Sequence, residues 1–240
     1  CERAEAQALA RGDWAGAARV VGRRAGAARA LGLSSADASW HQAYALVERS
    51  GDMLLRLRML VSMSGTRAME GRYAESLALC QQALEDVLAL GRVDLLGNLL
   101  LNMGATLGEV GEGELALECY EERRRLLPTD GPLGAHEHAV TDGNIAAQWL
   151  EMARRHRDGG DESAHDRAVE AALIAASRGC DAALPLGDAD AMLAVGSVLV
   201  DALLAANRPE EARRRTAAVA MAAGEAAVAI SSTACIAGPG

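Results

Sequence analysis

LLNMGATLGEVGEGELALECYEERRR, residues 100–125, overlaps MLVSMSGTRAMEGRYAESLALCQQAL, residues 59–84, in all but one end residue of each when the chain is shifted by 40 positions. Each stretch has an apolar pattern of helical period, then a glycine turn, then a second helical pattern. The shift pairs Gly71 with Gly111, Met63 with Met103, and Leu77 with Leu117. The unit of this sequence is therefore predicted to be a hairpin of two helices that recurs along the chain.

The composition of the whole chain favours helices over strands. Half of the 240 residues are hydrophobic, yet only 2% are aromatic and none is phenylalanine. Alanine and leucine, which supply much of the apolar content, are strong helix formers. Strands favour β-branched and aromatic residues, which are sparse here. An all-α fold is predicted.

The hairpins are expected to stack. Turns are predicted near Gly32, Gly71, Gly111, Gly159 and Asn207, which gives about five hairpins, the last two with insertions. Glycines 51, 71, 91 and 111 are expected to adopt a left-handed conformation after a helix. One hairpin cannot bury both of its apolar faces, so neighbours must cover them, as in an α-solenoid. The predicted helices are 2–11, 13–31, 35–49, 53–69, 72–90, 93–110, 113–127, 135–157, 162–179, 188–206 and 209–230. A single domain over 1–230 and a tail at 231–240 follow.

The two aligned stretches resemble tetratricopeptide (TPR) repeats. The small, turn and aromatic positions of that family fall on Gly104, Gly111, Ala116, Tyr120 and Pro128 in one stretch, and on Ser64, Gly71, Tyr73, Ser76, Cys80 and Ala83 in the other. Gly113 and Arg123 depart from the pattern. The resemblance implies a right-handed α-solenoid that binds a protein or peptide, and no enzyme activity.

Long alanine-rich repeats of this kind are similar to the sensory regions of bacterial signalling proteins. Such regions precede diguanylate cyclase (GGDEF) domains or belong to large transcriptional regulators. The resemblance implies a cytoplasmic regulatory module. Five dispersed cysteines without a CxxC pair also favour a reducing compartment. Cys1 indicates either a fragment boundary or the lipidated first residue of a lipoprotein.

The binding surface is predicted on the concave face of the solenoid, which the first helix of each hairpin lines. The residues assigned to it by helical spacing and the repeat offset are Arg58, Ser62, Asn98, Asn102, Glu109, Asn144 and Glu151. Asparagine amides can pair with an extended peptide backbone because they both donate and accept. Alternatively, each asparagine faces solvent or bonds to the next hairpin. In the binding interpretation, replacing Asn102 and Asn144 with alanine weakens partner binding without changing the melting temperature.

Neither a catalytic motif nor a cofactor motif is found. The chain has no GxxxxGK[ST] loop, no GxGxxG after a strand and no GxSxG elbow. His136 and His138 lie two apart, so on a helix they point to different sides, and no metal site is predicted. Two alternatives stay open. One is homodimerisation through residues 217–230, and the other is a small-molecule site or enzyme using Glu109 and Glu151.

The charge pattern excludes further classes of partner. A net charge of −9 argues against a nucleic-acid partner. The basic runs at 123–125 and 213–215 are predicted to be solvated helix faces. Residues 216–238 carry one charge, Glu225, but their many small residues favour a packed last helix over a membrane span.

Overall fold

The computed structural model of the chain describes residues 2–33, 35–128, 131–187 and 189–221. Across these ranges the chain forms helices joined by short turns, without a β-strand. The prediction of an all-α protein is confirmed. The predicted tail at 231–240 and the end of the predicted last helix lie outside the described residues. In the described part, no helix has the length and apolarity required to cross a membrane.

The helices follow the predicted order. They are α1 (Glu2–Ala10), α2 (Trp14–Ala30), α3 (Ala36–Ser50), α4 (Met53–Met69), α5 (Tyr73–Ala89), α6 (Val93–Glu109), α7 (Gly113–Leu126), α8 (Gly131–Asp158), α9 (Glu162–Ala183) and α10 (Ala189–Ala205). A 3₁₀ turn at Leu184–Leu186 precedes α10, and residues 209–221 are also helical. Helix α8 begins four residues earlier than predicted. Pro132 lies in its first turn, where the missing N–H breaks no helical hydrogen bond.

Left-handed turn residues recur at nearly constant intervals. Positive φ angles occur at Gly12, Gly32, Gly51, Gly71, Gly91, Gly111, Gly131, Gly160, Gly187 and Asn207. From Gly12 to Gly131 successive positions are 19 or 20 residues apart. The left-handed conformations predicted at glycines 51, 71, 91 and 111 are confirmed, and the turn predicted at Gly159 centres on Gly160. The spacing then lengthens because α8 and α9 have 28 and 22 residues.

The described residues divide into two compact units, one up to Thr106 and the other from Leu107 onward. The single domain predicted over 1–230 stays a prediction. The boundary falls within α6. In the first unit, one apolar cluster joins α2, α3 and α4 around Val21, Trp40 and Val47. A second joins α4, α5 and α6 around Leu60 and Leu99. Asp13 and Asp52 cap the N-termini of α2 and α4 with side-chain hydrogen bonds to Gly16 and Leu55 N–H.

Small side chains set the packing of the second unit. Alanines 139, 183 and 191 form an apolar cluster with Met192 and Val195, where α8, α9 and α10 meet. A Cβ atom on Gly179 would lie 2.7 Å from Val195 Cγ1 and 3.2 Å from the Ala139 carbonyl oxygen. Glycine at this position therefore permits the close approach of three helices.

The basic run at 123–125 is not a solvated face throughout, and that prediction is wrong for Arg123. Its residue surface is only 1% exposed. The guanidinium donates to the Glu137 carboxylate, to Thr141 Oγ1 and to the Glu137 carbonyl. Arg123 shares the buried stripe of α7 with Ala116 and Tyr120, at helical spacing. Residues 213–215 are exposed, as predicted.

Candidate binding surfaces

The predicted groove residues of the first unit occupy two helices. Arg58 and Ser62 on α4, and Asn98 on α6, are exposed to solvent. Asn102 is only partly exposed, and its Nδ2 donates to the Val61 carbonyl at 2.8 Å and to Ser64 Oγ at 3.0 Å. The sequence left open whether each asparagine binds a partner, faces solvent or bonds to a neighbouring hairpin. The Asn102 amide bonds to another helix, α4.

Gly65 makes this contact between α4 and α6 possible. A Cβ atom at position 65 would lie 3.2 Å from both Nδ2 and Oδ1 of Asn102. The side chain of Asn102 therefore rests on the backbone of α4. With both amide hydrogens used, Asn102 positions α6, and the exposed side chains of Arg58, Ser62 and Asn98 are the ones left for a partner.

Polar groups continue from this contact into the interior of the unit. Ser76 Oγ and Thr106 Oγ1 are 2.9 Å apart, and Thr106 also donates to the Asn102 carbonyl at 2.8 Å. Cys80 is fully buried beside them. Burial raises the pKa of the Cys80 thiol, while hydrogen bonds with Ser64 and Ser76 oppose the shift. Buried polar groups that all have hydrogen-bond partners favour one packing arrangement of the helices, because any other arrangement would break those bonds.

A network of charges holds the turn between α4 and α5. Arg67, with a 2% exposed residue surface, pairs with the carboxylates of Asp37 and Glu70. Arg72 donates to Asp37 Oδ2 at 2.6 Å and binds Glu75 through two nitrogens, at 2.8 and 2.6 Å. The hydrogen bond from Arg67 is the main cause that lowers the pKa of Asp37, and Arg72 adds to it. This network joins α3, α4 and α5.

The remaining predicted groove residues belong to the second unit. Glu109 is exposed, whereas Asn144 and Glu151 on α8 are half-buried. Glu151 pairs with Arg154 at 2.6 Å and with Arg155 at 3.2 Å. Arg155 also donates to the Gly111 carbonyl at 2.9 Å, so it reaches the turn that precedes α7.

An open cleft of about 570 Å³ lies between α7, α8 and α9. Its apolar lining consists of Leu117, Trp149, Met152, Ala164 and Ala168. Its polar lining consists of Glu114, Glu118, His156 and Arg167. The volume falls within the roughly 300–1,000 Å³ typical of ligand pockets. An apolar floor with a few polar groups around it is also typical of such sites.

Helical periodicity places these side chains. Glu114 and Glu118 are four residues apart on α7, and Trp149, Met152 and His156 follow steps of three and four on α8. Ala164 and Ala168 lie four apart on α9, where their small side chains leave the space open. None of these nine residues was assigned to a site from the sequence. The helical spacing of Trp149, Met152 and His156 was the available signal, but it does not reveal which helices flank them.

The acidic side of the cleft differs from its basic side. Within the described part of the chain, the side chains of Glu114 and Glu118 form no hydrogen bond and no ion pair. Arg167 donates to Ser163 Oγ at 2.6 Å, one turn earlier on α9. The two carboxylates are exposed and available, whereas the guanidinium already has one partner.

A smaller cleft of about 360 Å³ lies between α9, α10 and the helical residues 209–221. Leu173, Leu199 and Leu203 line it, and at its edge Arg208 pairs with Glu211 at 2.5 Å. The dimer interface predicted at 217–230 begins nearby in the sequence, but residues 222–230 lie outside the described ranges.

The described residues contain no group of three or more His, Cys, Asp or Glu side chains that could hold a metal ion. No protein-family model matches the chain, and no curated protein matches it.

Proposed function

We propose that this chain is a helical-repeat scaffold that binds a protein or peptide segment, built as a right-handed α-solenoid of about five TPR-like hairpins. In this proposal it is the regulatory or sensory module of a cytoplasmic bacterial signalling protein, and not an enzyme. The near-constant spacing of the left-handed turns supports the repeat. The TPR-like residues between positions 64 and 128 support the family.

The cleft between α7, α8 and α9 is the observation that carries the binding function. Its apolar lining includes the large aromatic side chain of Trp149, and charged groups line it as well. Aromatic anchors of this kind dominate the energy of many protein interfaces. Because the cleft is open, it suits one segment of a larger partner.

The exposed residues of α4 and α6 provide a second surface for the partner. The hydrogen bonds of Asn102 join α4 and α6. The exposed residues on these two helices are Arg58 and Ser62 on α4 and Asn98 on α6. Arginine and asparagine side chains can donate hydrogen bonds to the carbonyl oxygens of an extended backbone or to a carboxylate. This surface retains three members of the groove predicted from the sequence.

Selection from a random peptide library displayed on phage tests the proposal. Enriched peptides should bind the chain saturably, and Trp149→Ala should weaken those that use the cleft by ~10-fold or more. The double variant Arg58→Ala/Asn98→Ala should weaken peptides that use the other surface, and thermal melting checks that each variant is folded. Failure to enrich any peptide, or enrichment indifferent to both variants, would contradict the proposed function.

A further inference from the structure

We infer that the cleft between α7, α8 and α9 receives a basic side chain, lysine or arginine, from the bound segment. The inference rests on the proposed function and deepens it, since it names the chemistry that the cleft selects. The juxtaposition that carries it is a pair of exposed carboxylates, Glu114 and Glu118, beside the apolar floor that contains Trp149. Among the described residues, these two carboxylates have no partner.

The shape of the cleft fits a long side chain with a polar end. Lysine and arginine bury an apolar stem along nonpolar surface while the charged head stays near water. Leu117 and Met152 provide such a surface next to Trp149, and Ala164 and Ala168 leave the floor open. A short acidic side chain could not use this apolar floor in the same way.

The charges around the cleft favour a cation. The lining contains two carboxylates, those of Glu114 and Glu118, and one guanidinium, that of Arg167. The guanidinium already donates a hydrogen bond to Ser163 Oγ at 2.6 Å. His156 is the remaining titratable group of the lining. The chain as a whole carries a net charge of −9, which steers basic segments towards it.

An indole face also attracts a cation. In the first unit, the guanidinium of Arg49 lies 3.9 Å from the centre of the Trp14 ring. The same chain therefore already contains an arginine stacked on a tryptophan. Trp149 lines the same cleft as the two carboxylates of α7, so the cleft brings an indole and two negative charges to the same bound cation.

The test uses the full chain labelled with 5-fluorotryptophan and a matched set of short peptides. The peptides share an Ala/Ser background and carry at the centre arginine, lysine, norleucine, glutamine or glutamate. ¹⁹F NMR then reports on Trp149, while Trp14 and Trp40 serve as internal references. The arginine and lysine peptides should shift the Trp149 resonance saturably and bind ~10-fold or more tightly than the norleucine peptide, whose side chain lacks the charge.

Two variants with equal charge change make the result specific. Glu114→Gln/Glu118→Gln should abolish the preference for arginine and lysine. Glu122→Gln/Glu170→Gln removes two exposed carboxylates of the same unit that do not line this cleft, and it should leave the preference intact. Equal losses in both variants would show a general effect of charge and overturn the inference.

Other outcomes separate the inference from the function on which it rests. Tighter binding of the glutamate peptide, or no shift of Trp149 with any basic peptide at millimolar concentration, overturns the basic-side-chain inference. If library-selected peptides still bind under those conditions, the scaffold function stands and the assigned chemistry is wrong. If selected peptides also fail to bind, both proposals fall.

Discussion

Asn102 on α6 and Ser64 on α4 are joined side chain to side chain, with Asn102 Nδ2 donating to Ser64 Oγ at 3.0 Å. The same nitrogen donates to the carbonyl of Val61 at 2.8 Å. Ser64 is fully buried. A residue predicted to meet a partner is thus part of the contact between two helices.

Replacing Asn102 with alanine should lower the free energy of unfolding by about 1–3 kcal/mol. The substitution removes two hydrogen bonds and leaves a buried carbonyl and hydroxyl without this donor. Asn98→Ala, on the exposed face of the same helix, should stay within ~0.5 kcal/mol of wild type. Urea unfolding of the two variants measures the difference. Equal stability of both would mean that the Asn102 bonds contribute nothing.

Arg123 should be among the most sensitive polar residues of the second unit. Arg123→Ala leaves a cavity, takes the guanidinium donor from Thr141 Oγ1 and removes the partner of the Glu137 carboxylate, so a loss of about 3–5 kcal/mol is expected. Arg123→Met keeps much of the volume, so it leaves a smaller cavity and should cost less.

Arg125→Ala is the matched control for this prediction. Arg125 lies two residues away with a side chain that is 71% exposed, and its partner among the described residues is Glu122 on its own helix. Such surface pairs contribute little, so unfolding in urea should change by less than ~1 kcal/mol. A loss as large as that of Arg123→Ala would show that burial does not set the difference.

The sequence predicted the helices and most of their turns because those features depend on local signals. Glycines 51, 71, 91 and 111 each end a run of helix formers, and a left-handed φ suits glycine at that point. Arg123 was misassigned because it lies in a run of three arginines. Its spacing from Ala116 and Tyr120 would have placed it on the buried stripe, had periodicity been weighed above charge.

The candidate sites were less predictable because they depend on which helices become neighbours. Helical spacing assigned Asn98 and Asn102 to one face of α6, but Asn102 lies at helical spacing from the buried Leu99 and Thr106 and bonds to α4. Helical spacing could not show that Gly65 on α4 leaves room for the side chain of Asn102, nor that Asn98 remains exposed. The cleft around Trp149 needs side chains from three helices, and no local pattern contains that information.

Gly179→Ala should destabilise the second unit despite alanine's higher helix propensity. The added methyl would lie 2.7 Å from Val195 Cγ1 and 3.2 Å from a backbone oxygen, so the helices must separate. Overpacking of this kind costs about 1–3 kcal/mol, against a gain of up to ~1 kcal/mol from propensity. Thermal unfolding should show a lower Tm.

Gly26→Ala provides the opposite expectation in a helix of the first unit. A Cβ atom at position 26 meets nothing within 4 Å, so only the propensity gain remains. An increase in stability of about 0.5–1 kcal/mol is expected. If both glycine variants changed the Tm in the same direction, the close approach at Gly179 would not be the controlling contact.

Acid should weaken the first unit through Asp37. The hydrogen bond from Arg67 lowers the pKa of this carboxyl in the folded chain, and Arg72 acts in the same direction. Because the folded pKa is below the unfolded value of about 3.9, the ionised form contributes stability that is fully present above about pH 5. That contribution is lost as the pH falls through the folded pKa, where Asp37 takes up a proton and Arg67 loses a charged partner.

Asp37→Asn should therefore lower the free energy of unfolding at pH 6 and match wild type much more closely near pH 2.5. The measurement is a series of urea unfolding curves for both proteins across this range. Asp166→Asn controls for the loss of one negative charge, because Asp166 is exposed and forms no ion pair within the described residues. The network assignment requires the gap between wild type and Asp37→Asn to shrink with acid. A gap that stays constant from pH 6 to pH 2.5 would mean that Asp37 stabilises the turn through contacts that do not depend on its charge.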